Sequence, residues 1–234
     1  MKAWIGAMAL LFSIGPAAAQ NNYTVSPLRL ELSAKAPSTV LQVTNRGDAA
    51  ATMQVQQRVW VQRNGQDAQA ETRDLIISPA IFSFKPGETQ VVRIALRASP
   101  DRQVEGAFRI LVSEIPTPSV ATAPEVLSFR IALRMDLPLF VAALEPGPPS
   151  PTVELERASG RLVVRNEGRS HIRFTDFSLQ QAGRQLHSVP VFTVLPGSFI
   201  SLELPQGEHA ATNAGARAEA DSNAGPISLD VVPR

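Results

Sequence analysis

Apolar and polar residues alternate along most of this chain in short runs, each closed by turn-forming residues. Residues 25–32 set the pattern. Leu28, Leu30 and Leu32 share one face while Arg29 and Glu31 take the other, the period of two expected of a half-buried strand. Equivalent strands are predicted at 39–44, 53–61, 75–78, 81–84, 90–96, 107–115 and 126–141. Asn45-Arg46-Gly47-Asp48 and Lys85-Pro86-Gly87-Glu88 read as turns, since proline fixes one turn dihedral and glycine can take a positive one. No segment sustains a helical period. Many short strands parted by turn signals predict an antiparallel sandwich of immunoglobulin-like size.

The run Pro146-Gly147-Pro148-Pro149-Ser150-Pro151 cannot form a helix or a central strand and reads as a semi-rigid connector. Beyond it, strands are predicted at 152–155, 161–165, 172–179, 189–194, 199–204 and 227–232, divided by Asn166-Glu167-Gly168 and Leu195-Pro196-Gly197-Ser198. The stretch 208–223 is rich in Ala, Asn and Gly and poor in large apolar groups, so a mobile loop is expected there. The predicted fold class is all-β, with two immunoglobulin-like β-sandwich domains at 20–143 and 152–234 joined by a linker at 144–151.

The first residues address the compartment. Lys2, an apolar run over 3–14 and the small-residue triplet Ala17-Ala18-Ala19 read as a signal peptide cleaved after Ala19. No later stretch approaches the roughly 20 apolar residues of a membrane span, so a secreted, non-membrane-embedded protein is expected. A secreted chain with Cys 0 must be held by core burial alone, which favours ordinary-sized domains over a disulfide scaffold. A formal net charge of +1 argues against nucleic acid as a partner.

Catalytic constellations are missing from the sequence. His171, His187 and His209 stand at spacings that match no metal-ligand motif, and neither a nucleophile elbow nor a phosphate-cradling glycine loop occurs. No enzyme activity, cofactor or metal is therefore expected, although scattered carboxylates keep a hydrolase as one alternative. A secreted adhesin or carbohydrate-binding module is the other. Trp 2 and Tyr 1 supply its aromatic platform poorly.

The segment 126–141 stands apart by its length, since strands usually run to about 5–6 residues. In it Phe129, Ile131 and Leu133 alternate with Arg130, Ala132 and Arg134. Such a strand either fills its own core on one face or offers an apolar row to another polypeptide. A long apolar edge is an aggregation hazard unless something regularly occupies it.

Several motifs together resemble the periplasmic pilus chaperones of the chaperone–usher pathway. Ser26-Pro27-Leu28-Arg29-Leu30-Glu31-Leu32 looks like the family's first strand, Val43-Thr44-Asn45 with Gly47-Asp48 like the next strand and turn, and Phe84-Lys85-Pro86-Gly87-Glu88 like a later turn. Most specific is Phe108-Arg109-Ile110-Leu111-Val112-Ser113-Glu114-Ile115-Pro116, similar to the family's aromatic-Arg…Glu-Ile-Pro signature. The resemblance covers the first domain almost end to end and is weak in the second. It implies a boomerang of two immunoglobulin-like domains that binds pilus or fibre subunits, lends them a strand and delivers them to an outer-membrane usher. A self-capped homodimer is a further form compatible with the same edge.

By the same resemblance Phe129, Ile131 and Leu133 fall on the donor strand's apolar row, and Arg29 is the cleft arginine that holds the subunit's terminal carboxylate. The family's second basic position, commonly a lysine, aligns with Pro138. In the divergent branch called archaic or alternative, which this segment resembles, Arg134 becomes the second basic group.

Overall fold

A computed structural model describes residues 22–98, 102–116, 132–156, 159–189, 191–205 and 215–234. The described residues form eighteen strands and no helix. In the first half these are β1 (Tyr23–Ser26), β2 (Leu30–Leu32), β3 (Ser38–Asn45), β4 (Ala51–Arg63), β5 (Gln66–Glu71), β6 (Leu75–Ser78), β7 (Ile81–Phe84), β8 (Thr89–Leu96), β9 (Gly106–Glu114) and β10 (Arg134–Val141). They build one sheet in the order β1-β3-β8-β6 and a second in the order β2-β10-β9-β4-β5, with β7 on β4. Every pairing is antiparallel except β2 on β10. Leu41, Val43, Val92 and Ile94 from the first sheet meet Met53, Phe108, Ile110 and Leu139 from the second in a common core.

The sequence pattern treats 25–32 as one strand, and the structure divides it. Pro27 has no N–H with which to continue the β1 ladder, so the chain leaves β1 and rejoins the opposite sheet as β2. Leu30 and Leu32 are buried at 1% and 2%, whereas Leu28, expected on their face, is 67% exposed.

The second half forms β11 (Pro151–Glu156), β12 (Arg161–Asn166), β13 (Ile172–Gln181), β14 (Arg184–Val189), β15 (Phe192–Val194), β16 (Ser198–Glu203), β17 (Ala216–Ser222) and β18 (Gly225–Pro233). Their order is β14-β13-β17-β18-β11-β12-β16, with β15 on β13. β18 joins the two layers, pairing first with β17 and then, through Val231 to Pro233, with β11. Leu155, Leu162, Phe174, Phe177 and Leu179 centre a second, separate core. The chain is thus all-β and built of two immunoglobulin-like sandwiches.

The loop expected over 208–223 is corrected in its second part. Ala216, Ala218 and Ala220 alternate with Arg217 and Glu219 along β17, and Ala216 and Ala218 are buried against β13 at 3% and 1%. Alanine is small enough for close sheet packing but gives little of the β-propensity signal that larger residues carry. The strand expected over 189–194 is likewise divided between β14 and β15.

One device recurs in both sandwiches. Asn45 ends β3 with 1% exposure; its Nδ2 donates to Ala49 O and Phe84 O, its Oδ1 accepts from Gly47 N, and its own carbonyl accepts from Gly87 N. Asn166 ends β12 fully buried and makes the matching set, to Ser170 O, Val194 O, Gly168 N and Gly197 N. Each asparagine thus ties its own turn to the Pro-Gly turn of the facing layer. Asn166→Ala should strand buried carbonyls and lower the stability of the second domain by about 1–3 kcal/mol, read from the urea midpoint. Asn45→Ala should do the same to the first.

Candidate functional site

Along β10 the side chains separate by parity. Leu137, Leu139 and Val141 enter the first core, while Asp136, Pro138 and Phe140 face outward. Arg109 lies opposite Pro138 on β9, and Trp60 and Gln62 follow on the outward side of β4. In a lone sandwich this outer face would meet water. Here the second domain covers one end of it, so that Trp60, Ala107, Phe140 and Leu195 form a small buried cluster between the domains.

Hydrogen bonds fix this contact. Gln62 Nε2 donates to Thr193 O at 2.7 Å, and Leu195 N–H donates to Gln62 Oε1 at 3.0 Å. Ser201 N–H reaches Gly65 O at 3.0 Å, and Glu105 N–H reaches Arg169 O at 2.9 Å. His171 donates to Glu105 Oε2 from its backbone N–H at 2.7 Å, with Nδ1 2.5 Å from the same oxygen. The His171 ring is stacked on Phe140 with centroids 3.6 Å apart.

Beside this seam lies a cavity of about 420 Å³, lined from the first domain by Leu28, Arg29, Trp60, Asp67, Arg109, Pro138 and Phe140 and from the second by His171, Arg173, Val191, Phe192 and Thr193. Arg29 pairs with Glu31 at 2.9 Å and lies 5.3 Å from the Phe140 ring centroid. Arg109 is more enclosed. Its guanidinium sits 3.6 Å from the Trp60 ring centroid and 3.7 Å from Asp136, and its Nε is buried without a hydrogen-bond partner. Burial lowers its pKa from the ordinary arginine value, and Asp136 and Asp67 oppose that effect. Asp67 is occupied by Trp60 Nε1 and Gln62 Nε2, each at 2.9 Å. The cavity therefore presents guanidinium groups on aromatic walls, a setting for a carboxylate or another planar anion. No group of His, Cys, Asp or Glu suited to a metal ion occurs among the described residues.

Residues 22–143 match the family described as pili and flagellar-assembly chaperone, PapD N-terminal domain. The chain belongs to this family. It is 26% identical over 137 residues to chaperone protein FimB/FhaD of Bordetella pertussis, an alignment that takes in 54% of each, so the chain spans about half the length of this relative. Fold similarity extends over both domains. A chain of the CsuC–CsuE chaperone-tip adhesion subunit complex from archaic chaperone–usher Csu pili of Acinetobacter baumannii matches with a TM-score of 0.69 at 18% identity, covering 91% of this chain and 99% of that one. The CupB2 chaperone of Pseudomonas aeruginosa gives 0.60 at 18% identity over 89% and 100%. A chain of the Salmonella enterica SafA pilin–SafB chaperone complex gives 0.61 at 13% over 92% and 98%.

Of the residues singled out in the sequence, Arg29 lines the cavity and Arg134 does not. Arg134 is exposed at the start of β10, four residues before Pro138 and so about 13 Å away along the strand. Leu133 is half-buried, and its carbonyl accepts from Glu114 N–H, which carries the β9 pairing one residue past β10. Phe129 and Ile131 lie outside the described residues, as does the expected signal peptide over 1–19. Arg109 belongs to the family signature in the sequence and is not among its expected site residues. A lone arginine between Phe108 and Ile110, in an otherwise largely apolar run, is the signal that could have marked it.

The turn Asn64-Gly65, with φ of 53° and 74°, carries the β4–β5 hairpin onto the second domain. A Cβ on Gly65 would press on Ser201. Gly65→Ala should cost about 1–2 kcal/mol from its backbone alone and expose the Ser201 amide to hydrogen exchange. Gly87→Ala, at φ 80° with open space around it, should incur the backbone cost and leave Ser201 protected.

Proposed function

We propose that this protein is a periplasmic chaperone that binds pilus or fibre subunits, completes their fold by lending a strand, and delivers them to an outer-membrane usher. It works by binding and not by catalysis. The observation that carries the reading is the edge of β10. β2 pairs with β10 through Leu139, Phe140 and Val141, leaving Arg134 to Pro138 without a strand on that side among the described residues. A subunit lacking a strand has backbone groups and apolar core to cover, and an open edge with an apolar row answers both. Met135 and Leu137 are taken up by the chain's own core, so by parity the row on offer is Leu133, which the sequence extends to Ile131 and Phe129. Each such side chain buried in a subunit contributes about 1.5–3 kcal/mol.

The cavity supplies an end-stop. A subunit strand laid along β10 with its terminal carboxylate at the cavity would meet Arg29 and Arg109, with Arg134 further along the strand as the alternative second cation. The complexes of related folds support this reading, since they hold a tip adhesion subunit or a pilin together with the chaperone. A carbohydrate-binding role is less suited, because Trp60 and Phe140 are buried at 3% and 4% instead of forming an exposed platform.

Co-purification with a subunit from the same gene cluster tests the proposal. Arg29→Ala should weaken capture by about 2 kcal/mol or more, and Arg29→Lys should recover part of it. Arg109→Ala against Arg134→Ala identifies the second cation, with exposed Arg217→Ala as the control. The pair Ile131→Asp with Leu133→Asp should abolish capture while the circular dichroism spectrum stays that of a folded β protein. Wild-type binding by Arg29→Ala would remove Arg29 from carboxylate anchoring, and wild-type binding by the double variant would remove the donated strand.

A further inference from the structure

Phe140 touches three partners that matter to the cavity. The His171 ring lies parallel to it, with planes within 2° and centroids 3.6 Å apart. The Arg29 guanidinium carbon is 5.3 Å from its centroid. Trp60 packs at 6.0 Å, and Trp60 in turn carries Arg109 on its face at 3.6 Å. Arg29 and Arg109 therefore rest, directly or through one ring, on Phe140, and the second domain touches Phe140 through His171.

His171 is held in place. Glu105 is a carboxylate acceptor, so the short contact at Nδ1 is an Nδ1–H donation, and the backbone N–H of His171 donates to the same oxygen. The other ring nitrogen, Nε2, is buried without a hydrogen-bond partner. A buried polar atom left unsatisfied is unfavourable, so packing alone would be better served by an apolar ring. Histidine offers a different combination, a flat face for Phe140 and a tether to Glu105.

We propose that His171 is a positioning residue for the anion site. By stacking on Phe140 it fixes the surface on which Arg29 and Arg109 lean, so docking of the second domain sets how the first domain holds a carboxylate. The inference rests on the carboxylate reading of the cavity. A free arginine side chain loses much rotamer freedom when it grips an anion, and a guanidinium already seated on an aromatic face loses less.

Acetate serves as the carboxylate probe, titrated into the full secreted chain while the Nε–H resonances of Arg29 and Arg109 are followed by NMR. In the wild type both should shift with acetate. His171→Ala should weaken acetate binding about fivefold or more and move the Arg29 resonance even without acetate, because the Phe140 ring current no longer falls on it in the same way. His171→Phe keeps the flat ring and should bind within about twofold of wild type. His171→Leu fills the space without a flat face and should lose as much as His171→Ala, which preserves the test if the alanine variant melts early. Wild-type acetate binding by His171→Ala or His171→Leu overturns the proposal, and so does a folded His171→Phe as weak as the alanine variant. Arg29→Ala separates the two levels. If it binds acetate undiminished, the carboxylate reading itself fails; if it loses acetate while His171→Ala does not, the positioning role alone fails.

Discussion

The β9–β10 ladder is the constraint on which the rest of the molecule depends. Eight residue pairs, from Arg134 opposite Ser113 to Val141 opposite Gly106, fix which side chains of β10 face the core. A shift of one residue would put Phe140 and Pro138 into the first sandwich and expel Leu139 and Leu137. With the observed register one strand does three things. Its odd positions close the first core, Pro138 and Phe140 at even positions form part of the cavity wall, and its far edge stays available over Arg134 to Pro138. The brevity of β2 protects that edge from being filled within the chain.

The cavity is electrostatically arranged more than it is merely basic. Arg109 is desolvated, and Asp136 at 3.7 Å keeps its charge compensated. Asp136 is itself held by Gln69 Nε2 at 2.9 Å, and Asp67 by Trp60 and Gln62, so the nearby carboxylates have partners of their own. Phe140 and Trp60 shield one side of the Arg29 and Arg109 guanidiniums respectively. An incoming carboxylate would then exchange less hydration for its bonds than at an open surface, where such pairs contribute little.

How much of this was legible in the sequence depends on where each residue acts. The strands with large alternating side chains were readable because burial on one face imposes the period, as at Leu41 and Val43 or Leu162 and Val164. Arg29, which the family motif singles out, lines the cavity. The strands β5, β14 and β17 were not readable, for separate reasons. β5 and β14 are polar edge strands with little core to fill, and β17 fills its buried positions with alanines, which carry little β-propensity signal. The turn Asn64-Gly65 was nevertheless a strong hairpin signal that should have placed β5. Arg109 and His171 could not be brought together from sequence, since their meeting depends on docking the two domains.

That docking is determined less by the proline-rich connector than its composition suggests. Residues 147–150 are bonded into the second sandwich: Glu167 N–H donates to Ser150 O, Arg169 N–H to Pro148 O, Ser150 N–H to Asn166 Oδ1 and Ser170 Oγ to Gly147 O. A Cβ on Gly168 would run into the backbone at Pro148 and Ser150, which shows how closely the connector lies on that turn. On the other side Ala142 N–H donates to Leu32 O and Leu144 N–H to Arg102 O, which fasten the chain to the first sandwich. Little more than Glu145 and Pro146 remains between the two anchored segments, and Arg169 reaches back to Glu145 at 3.4 Å. With so short a free joint, the angle between the domains must follow from what meets across the seam. Those contacts include the Gln62 bonds to Thr193 and Leu195, the Glu105–His171 bonds and the His171–Phe140 stack, so His171, Phe140 and Thr193 both join the domains and line the cavity.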